Sequence, residues 1–183
     1  ALAQLIIFLF TPLYRLNHIN LISYVTRIIM KGMVYMIRFI GEGTGRIVLL
    51  NLQRGEKLLE SIREQLKEVG IKNAVVLSAI GSLQKAVFHR VTGMEESPVD
   101  EYVTVEKPLE LASLQGVVID GEPHFHMVIS DLEQAYTGHL EEDTTVLYLA
   151  EISLLEIKGV ELERVKNELN IAVFKEKNNF LNL

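Results

Sequence analysis

The sequence predicts an α+β fold: a mostly antiparallel β-sheet carrying one main helix. Three observations lead there. Apolar residues recur at helical spacing in one stretch only, "GEKLLESIREQLKEVG". Most of the remaining chain is a series of β-branched runs. Those runs are separated by short turns rich in Gly, Asp and Pro, with no long polar linker and no internal repeat.

The first element, "YMIRFIGEGTGRIVLLNL", reads as two short strands, with Gly41, Gly43 and Gly45 making the turn between them. The spacing does not suit a phosphate loop, because no Lys-Ser/Thr pair comes after it and the next element is a strand. In the helix, Leu58, Leu59, Ile62, Leu66 and Val69 fall on one face, with Gly55 as N-cap and Gly70 as the stop. "IKNAVVLSAIGSLQKAVFHRV" is a long buried strand with a kink or bulge at Gly81. "LELASLQGVVI", "PHFHMVIS" and "TTVLYLAEISLLEI" continue as strands, while the tail after Gly159 fits helix or strand. The expected core is Leu58, Ile62, Leu66, Val75, Leu77, Phe125 and Leu147.

Composition narrows the function. The chain has 183 residues and 49% hydrophobic residues, enough for a single domain with a real core. It contains no cysteine, so disulfides and thiolate metal sites are excluded. Total charge is −6, yet residues 1–32 hold Arg15, Arg27 and Lys31 and no acid, so residues 33–183 carry −9. A strong electrostatic grip on DNA needs the opposite balance.

Residues 1–32 read as an extension outside the domain, which then spans 33–183. In-frame upstream sequence ahead of Met30, Met33 or Met36 is the expected origin. A membrane-surface helix and a genuine but dispensable extension are the alternatives. The apolar run Leu5–Phe10 is too short to span a bilayer, which takes about 20 residues, and no basic leader precedes it. A cytoplasmic protein without membrane association is therefore expected.

Three of five histidines lie within residues 121–140. Strand residues two apart share a face, so His124 and His126 project together, with Phe125 and Met127 turned to the core. A hairpin folded about Leu132–Glu133 sets His139 opposite His126. Three imidazoles on one face match a metal site with an open position for water or substrate. The carboxylates of Glu122, Asp131 and Glu151 are candidates to orient a ligand, complete the shell or move a proton. The spacing alone leaves a metal site and a structural histidine cluster both open. His89, in another strand, reads as a surface or core residue.

The ordered set R-G-E (54–56), I-G-S (80–82), G-x-P-H-x-H (121–126), G-H-L (138–140) and A-E-I (150–152) resembles the PPC domain (plants and prokaryotes conserved, DUF296) over about Met36–Val173. The resemblance implies a homotrimer with a largely antiparallel sheet. It implies a stand-alone prokaryotic type of the predicted DNA-binding or regulatory class, and a metal at His124, His126 and His139. Where many members have G-G-H-L, this chain has Thr137-Gly138-His139-Leu140, which adds a side chain beside the site. No R-G-R-P minor-groove motif is present, so the DNA label has no site of its own here. A trimeric binding module with a His-cluster metal is the first reading. A metal-dependent enzyme or small-molecule binder in an intersubunit cleft is the second. His₃ ligation suits zinc, iron, nickel or copper, with zinc first among them.

Overall fold

The computed structural model describes residues 36–177, of which all but the first three belong to the unit Phe39–Leu183. Residues 1–32, expected to form an extension, lie outside the described residues. The elements are β1 (Gly43–Gln53), α1 (Leu58–Glu68), β2 (Ala74–Val91), β3 (Asp100–Val105), β4 (Leu109–Ile119), β5 (Glu122–Ser130), β6 (Ala135–Leu140), β7 (Thr145–Lys158), β8 (Leu162–Lys166) and β9 (Ala172–Glu176). Among these residues there is one helix, and every strand pairing is antiparallel.

Seven strands form one sheet in the order β1-β7-β2-β4-β5-β6, with β3 on β2. One further pairing changes its shape. The far end of β2 hydrogen-bonds to β6, with Phe88 opposite Leu140 and His89 opposite His139. Strands β2, β4, β5 and β6 therefore close into a ring of pairings. β2 reaches both ends of that ring because it is 18 residues long, and it curves because its register with β7 slips at three places between Val76 and Lys85. Bulges bend and twist a strand in this way. The expected irregularity at Gly81 is one of the three. A Cβ there would meet the Leu149 carbonyl at 2.5 Å.

α1 lays Leu58, Leu59, Ile62 and Leu66 onto the sheet, where they join Leu83, Phe88, Leu114, Phe125 and Met127 in the core. Gly70 ends the helix with φ +70°, a left-handed conformation that costs glycine nothing. The helix start differs from expectation. The N-cap is Lys57 and not Gly55, and no side chain caps the helix. Tertiary structure does the work instead. Lys57 bridges Thr145, and the Leu58 N–H donates to the Thr144 carbonyl at 2.8 Å.

Other expectations need correction. Val75 and Leu147 are half-buried and Leu77 is 51% exposed. Their neighbours Ala74, Val76 and Val146 take the core positions. Leu77 falls in the slip between Val76 and Ser78, and one extra residue inverts the face of the residues after it. Val69, the helix C-cap, is 40% exposed. The two runs around Gly41–Gly45 are one strand starting at Gly43, with Gly45 inside it. A Cβ on Gly45 would strike the Glu156 carboxylate. That carboxylate folds over a bulge in β1 and accepts from the Arg46 backbone N–H at 2.9 Å and the Arg46 guanidinium at 3.0 Å. Glycine is there for clearance. β3, "DEYVTV", is a strand beyond those expected from the sequence. The ambiguous tail is a hairpin, β8 with β9.

The Arg46 contacts hold the Glu156 carboxyl down at about 2, below its ordinary 4.5. A depressed carboxylate stabilises the fold above its unfolded value, and that contribution is lost as pH falls toward the folded value. Replacing Arg46 by Met is expected to lower the urea midpoint modestly at pH 7, because the pair is exposed on the arginine side. The difference from wild type should shrink between about pH 4.5 and pH 2. Urea titrations at both ends of that window check this.

Candidate metal centre

The site is built where β5, β6 and the end of β2 meet. β5 alternates strictly: Phe125 and Met127 are buried, while His124 and His126 share the opposite face. The turn after β5 is tied by Asp131, whose carboxylate accepts from the backbone N–H of Glu133 at 2.7 Å and of Gln134 at 2.8 Å. That turn fixes the register of β6 so that His139 pairs with His126, as the spacing predicts. Ring closure then brings a fourth imidazole. His89 pairs with His139 and stacks on it with ring centroids 4.5 Å apart.

The first three histidines pack closely. Ring centroids are 4.6 Å apart for His124 and His139, 5.3 Å for His126 and His139, and 5.5 Å for His124 and His126. One nitrogen of each lies within 4.8 Å of those of the other two. Four-coordinate zinc at ~2.05 Å from each nitrogen needs nitrogens about 3.3 Å apart, so small side-chain rotations close the set. A second set shares a member: His89, His139 and Glu141 also lie within 4.8 Å. His89 Nδ1 is 2.6 Å from Glu141 Oε1 and Nε2 is 4.0 Å from Asp100 Oδ1, so carboxylates flank the ring on both nitrogens.

Electrostatics favour ligation. Burial pushes the His139 imidazole down to about 4, helped by His124, His89, His126 and Arg164. Burial, then the charge of Arg164, His126 and His89, lowers His124 as well. Both rings are neutral at pH 7, with lone pairs to offer a metal.

The three candidate carboxylates are placed elsewhere. Glu122 begins β5 but is engaged by Arg63 Nε at 3.2 Å. Asp131 serves its turn, accepts from the Tyr136 hydroxyl at 3.0 Å and pairs with Lys107. Glu151 lies on β7 opposite Asn51 and Ile80, away from both histidine sets. Glu141 is instead the carboxylate beside a histidine, at His89. Sequence reasoning missed this pair because the β2–β6 closure that assembles it leaves no local periodicity. The extra side chain of Thr137 is exposed and opposes Val128. Close approach falls at Gly138 instead, where a Cβ would meet the Phe88 ring at 2.6 Å and the His89 carbonyl at 2.7 Å.

A sequence model described as the Plants and Prokaryotes Conserved (PCC) domain matches residues 40–158. The chain belongs to this family. A solved plant- and prokaryote-conserved (PPC) protein of Pyrococcus horikoshii is 32% identical, with a TM-score of 0.66 over 78% of this chain and 99% of that one. A metal-containing protein of Archaeoglobus fulgidus is 29% identical, with a TM-score of 0.66 over 77% of this chain and all of its own. A candidate DNA-binding protein of Bacteroides thetaiotaomicron is 15% identical, with a TM-score of 0.62 over 75% of this chain and 96% of that one, and shares the fold. The bifunctional protein GlmU of Synechococcus is 27% identical over 62% of this chain, which spans only 18% of that relative's length. The PCC match ends before β8, so the β8–β9 hairpin lies outside the matched region.

Gly138→Ala tests the closure. Overpacking against backbone and a buried ring is expected to cost ~1–3 kcal/mol. It should also shift the His89 and His139 ring resonances together in NMR spectra, while the β8–β9 signals stay in place.

Proposed function

We propose that this chain is a metal-binding module of the PCC family, in which His124, His126 and His139 hold one divalent transition metal. The observation that carries this is the convergence of three histidine nitrogens within 4.8 Å on one hairpin. Zinc is the first choice, because it takes three neutral imidazoles and keeps a fourth position open. When bound, such a metal supplies a Lewis-acidic position that polarises a ligand oxygen or acidifies a water. Around it, His89 and Glu141 are the pair placed to take up a proton. The relative of Archaeoglobus fulgidus, described as metal-containing, supports the reading.

We also propose that the domain, residues 33–183, works as a homotrimer. The face of the sheet away from the core exposes Ile47, Leu49, Leu77, Ile80 and Leu149 across β1, β7 and β2. Apolar exposure of this kind is normally covered by another chain. DNA binding has less support: the body carries −9, and the neighbour described in those terms contributes the fold alone. Among the described residues no helix is long and apolar enough to cross a membrane.

Elemental analysis of protein purified without a His tag is expected to find about one metal per chain in wild type. His126→Ala should lose it, and Glu151→Gln should retain it. Absence of metal in wild type after a generous supply during expression would sink the reading. For assembly, light scattering coupled to size exclusion should give three times the 20.7 kDa chain mass. Leu49→Glu combined with Leu77→Glu should shift the peak toward a single chain with the helix signal retained.

A further inference from the structure

Arg164 stands apart from the other basic residues around the site. It lies in β8, where it is half-buried, and its Nε is buried without a hydrogen-bond partner. No carboxylate among the described residues offsets its desolvation. Phe174 faces it across the hairpin and holds the guanidinium 4.7 Å above its ring. Several other bases are matched with acids: Arg63 with Glu122 and Glu142, Lys57 and Lys85 with Asp143, Lys107 with Asp131. A desolvated cation without an anion costs free energy unless a ligand supplies one.

The hairpin places Arg164 over the histidine face. β8 packs against β4, whose Gln115 and Val117 pair with His126 and His124. Ile119, on the same face of β4, is buried outside the main core, as is Leu162, two residues before Arg164. Apolar contact there seats the hairpin. The positive field of Arg164 is felt at His124 and His139.

We propose that Arg164 and the histidine cluster form one subsite for a small oxyanion, a phosphate or carboxylate group of the ligand, with Arg164 as the fixed cation. This deepens the metal reading and rests on it for the second charge. The planar guanidinium donates two parallel N–H bonds to such a group, which lysine cannot reproduce. Stacking on Phe174 fixes its plane before the ligand arrives, so little ordering entropy remains to be lost. The ligand class is then a small anionic metabolite, with its charged end on Arg164 and a neighbouring oxygen toward the histidines.

The test uses the full chain loaded with zinc, titrated calorimetrically with inorganic phosphate and separately with acetate. Wild type, Arg164→Gln, Arg164→Lys and His126→Ala are compared, with metal content measured on each sample. Wild type is expected to bind at least one of the two anions, and which one it prefers identifies the group. Arg164→Gln should weaken that binding tenfold or more while keeping its metal. Arg164→Lys, the fallback if the glutamine variant does not fold, should weaken it several-fold. Equal affinity in wild type and the Arg164 variants overturns the subsite, and so does wild type that binds neither anion. If wild type holds no metal yet binds an anion through Arg164, the subsite stands and the metal reading fails.

Discussion

Everything at the site depends on β6 returning to β2. A hairpin of β5 and β6 alone would present three histidines on an open ribbon. The β2–β6 pairing instead sets His89 against His139 and brings Glu141 alongside. Backbone contacts hold the join beyond the paired residues. The Glu141 N–H donates to the Val87 carbonyl at 3.0 Å, and the buried Thr144 hydroxyl accepts from the Val87 N–H at 2.9 Å and donates to its carbonyl at 3.1 Å. Gly138 makes the approach sterically feasible. The same segment then supplies the carbonyl that receives the first N–H of α1. Closing the ring, seating the helix and assembling the site are thus one event in packing terms.

Local order was legible in the sequence, and long-range closure was not. The alternation His124-Phe125-His126-Met127 states which residues face the core, and the position of the turn states that His126 meets His139. Both come from a period of two and a count of residues. The helix is equally plain from its spacing. His89 carries no such signal. Its partner is 50 residues away, and only the curvature of β2 decides whether the two strands meet. That curvature comes from bulges, which a run of β-branched residues conceals.

The core residues Val75, Leu77 and Leu147 were misplaced for a related reason. They are apolar and sit in true strands, so hydrophobicity alone assigns them inside. The sheet has two apolar faces, however, and α1 covers only one. A strand with Val or Leu on both faces loses the contrast on which inside and outside are told apart. The same residues that blur the core assignment thus lie on the side that the helix leaves uncovered.

Charge resolves how an acidic protein could hold the small anion proposed for Arg164. Field strength at a distance depends on the net charge, and a body at −9 repels a long polyanion before contact. Screening ends that influence beyond about 10 Å at ordinary salt. At the histidine face the balance is different. Asp131 and Glu122, which lie apart from the histidines, are bound to Lys107 and Arg63. His124 and His139 are held neutral by burial, and Glu141 lies against His89. Among the described residues Arg164 is paired with no acid, on a hairpin beyond the matched family region. A metal on the three histidines would add to that local positive charge. A small anion needs only the charges at the histidine face, while a nucleic acid must also approach the whole acidic surface.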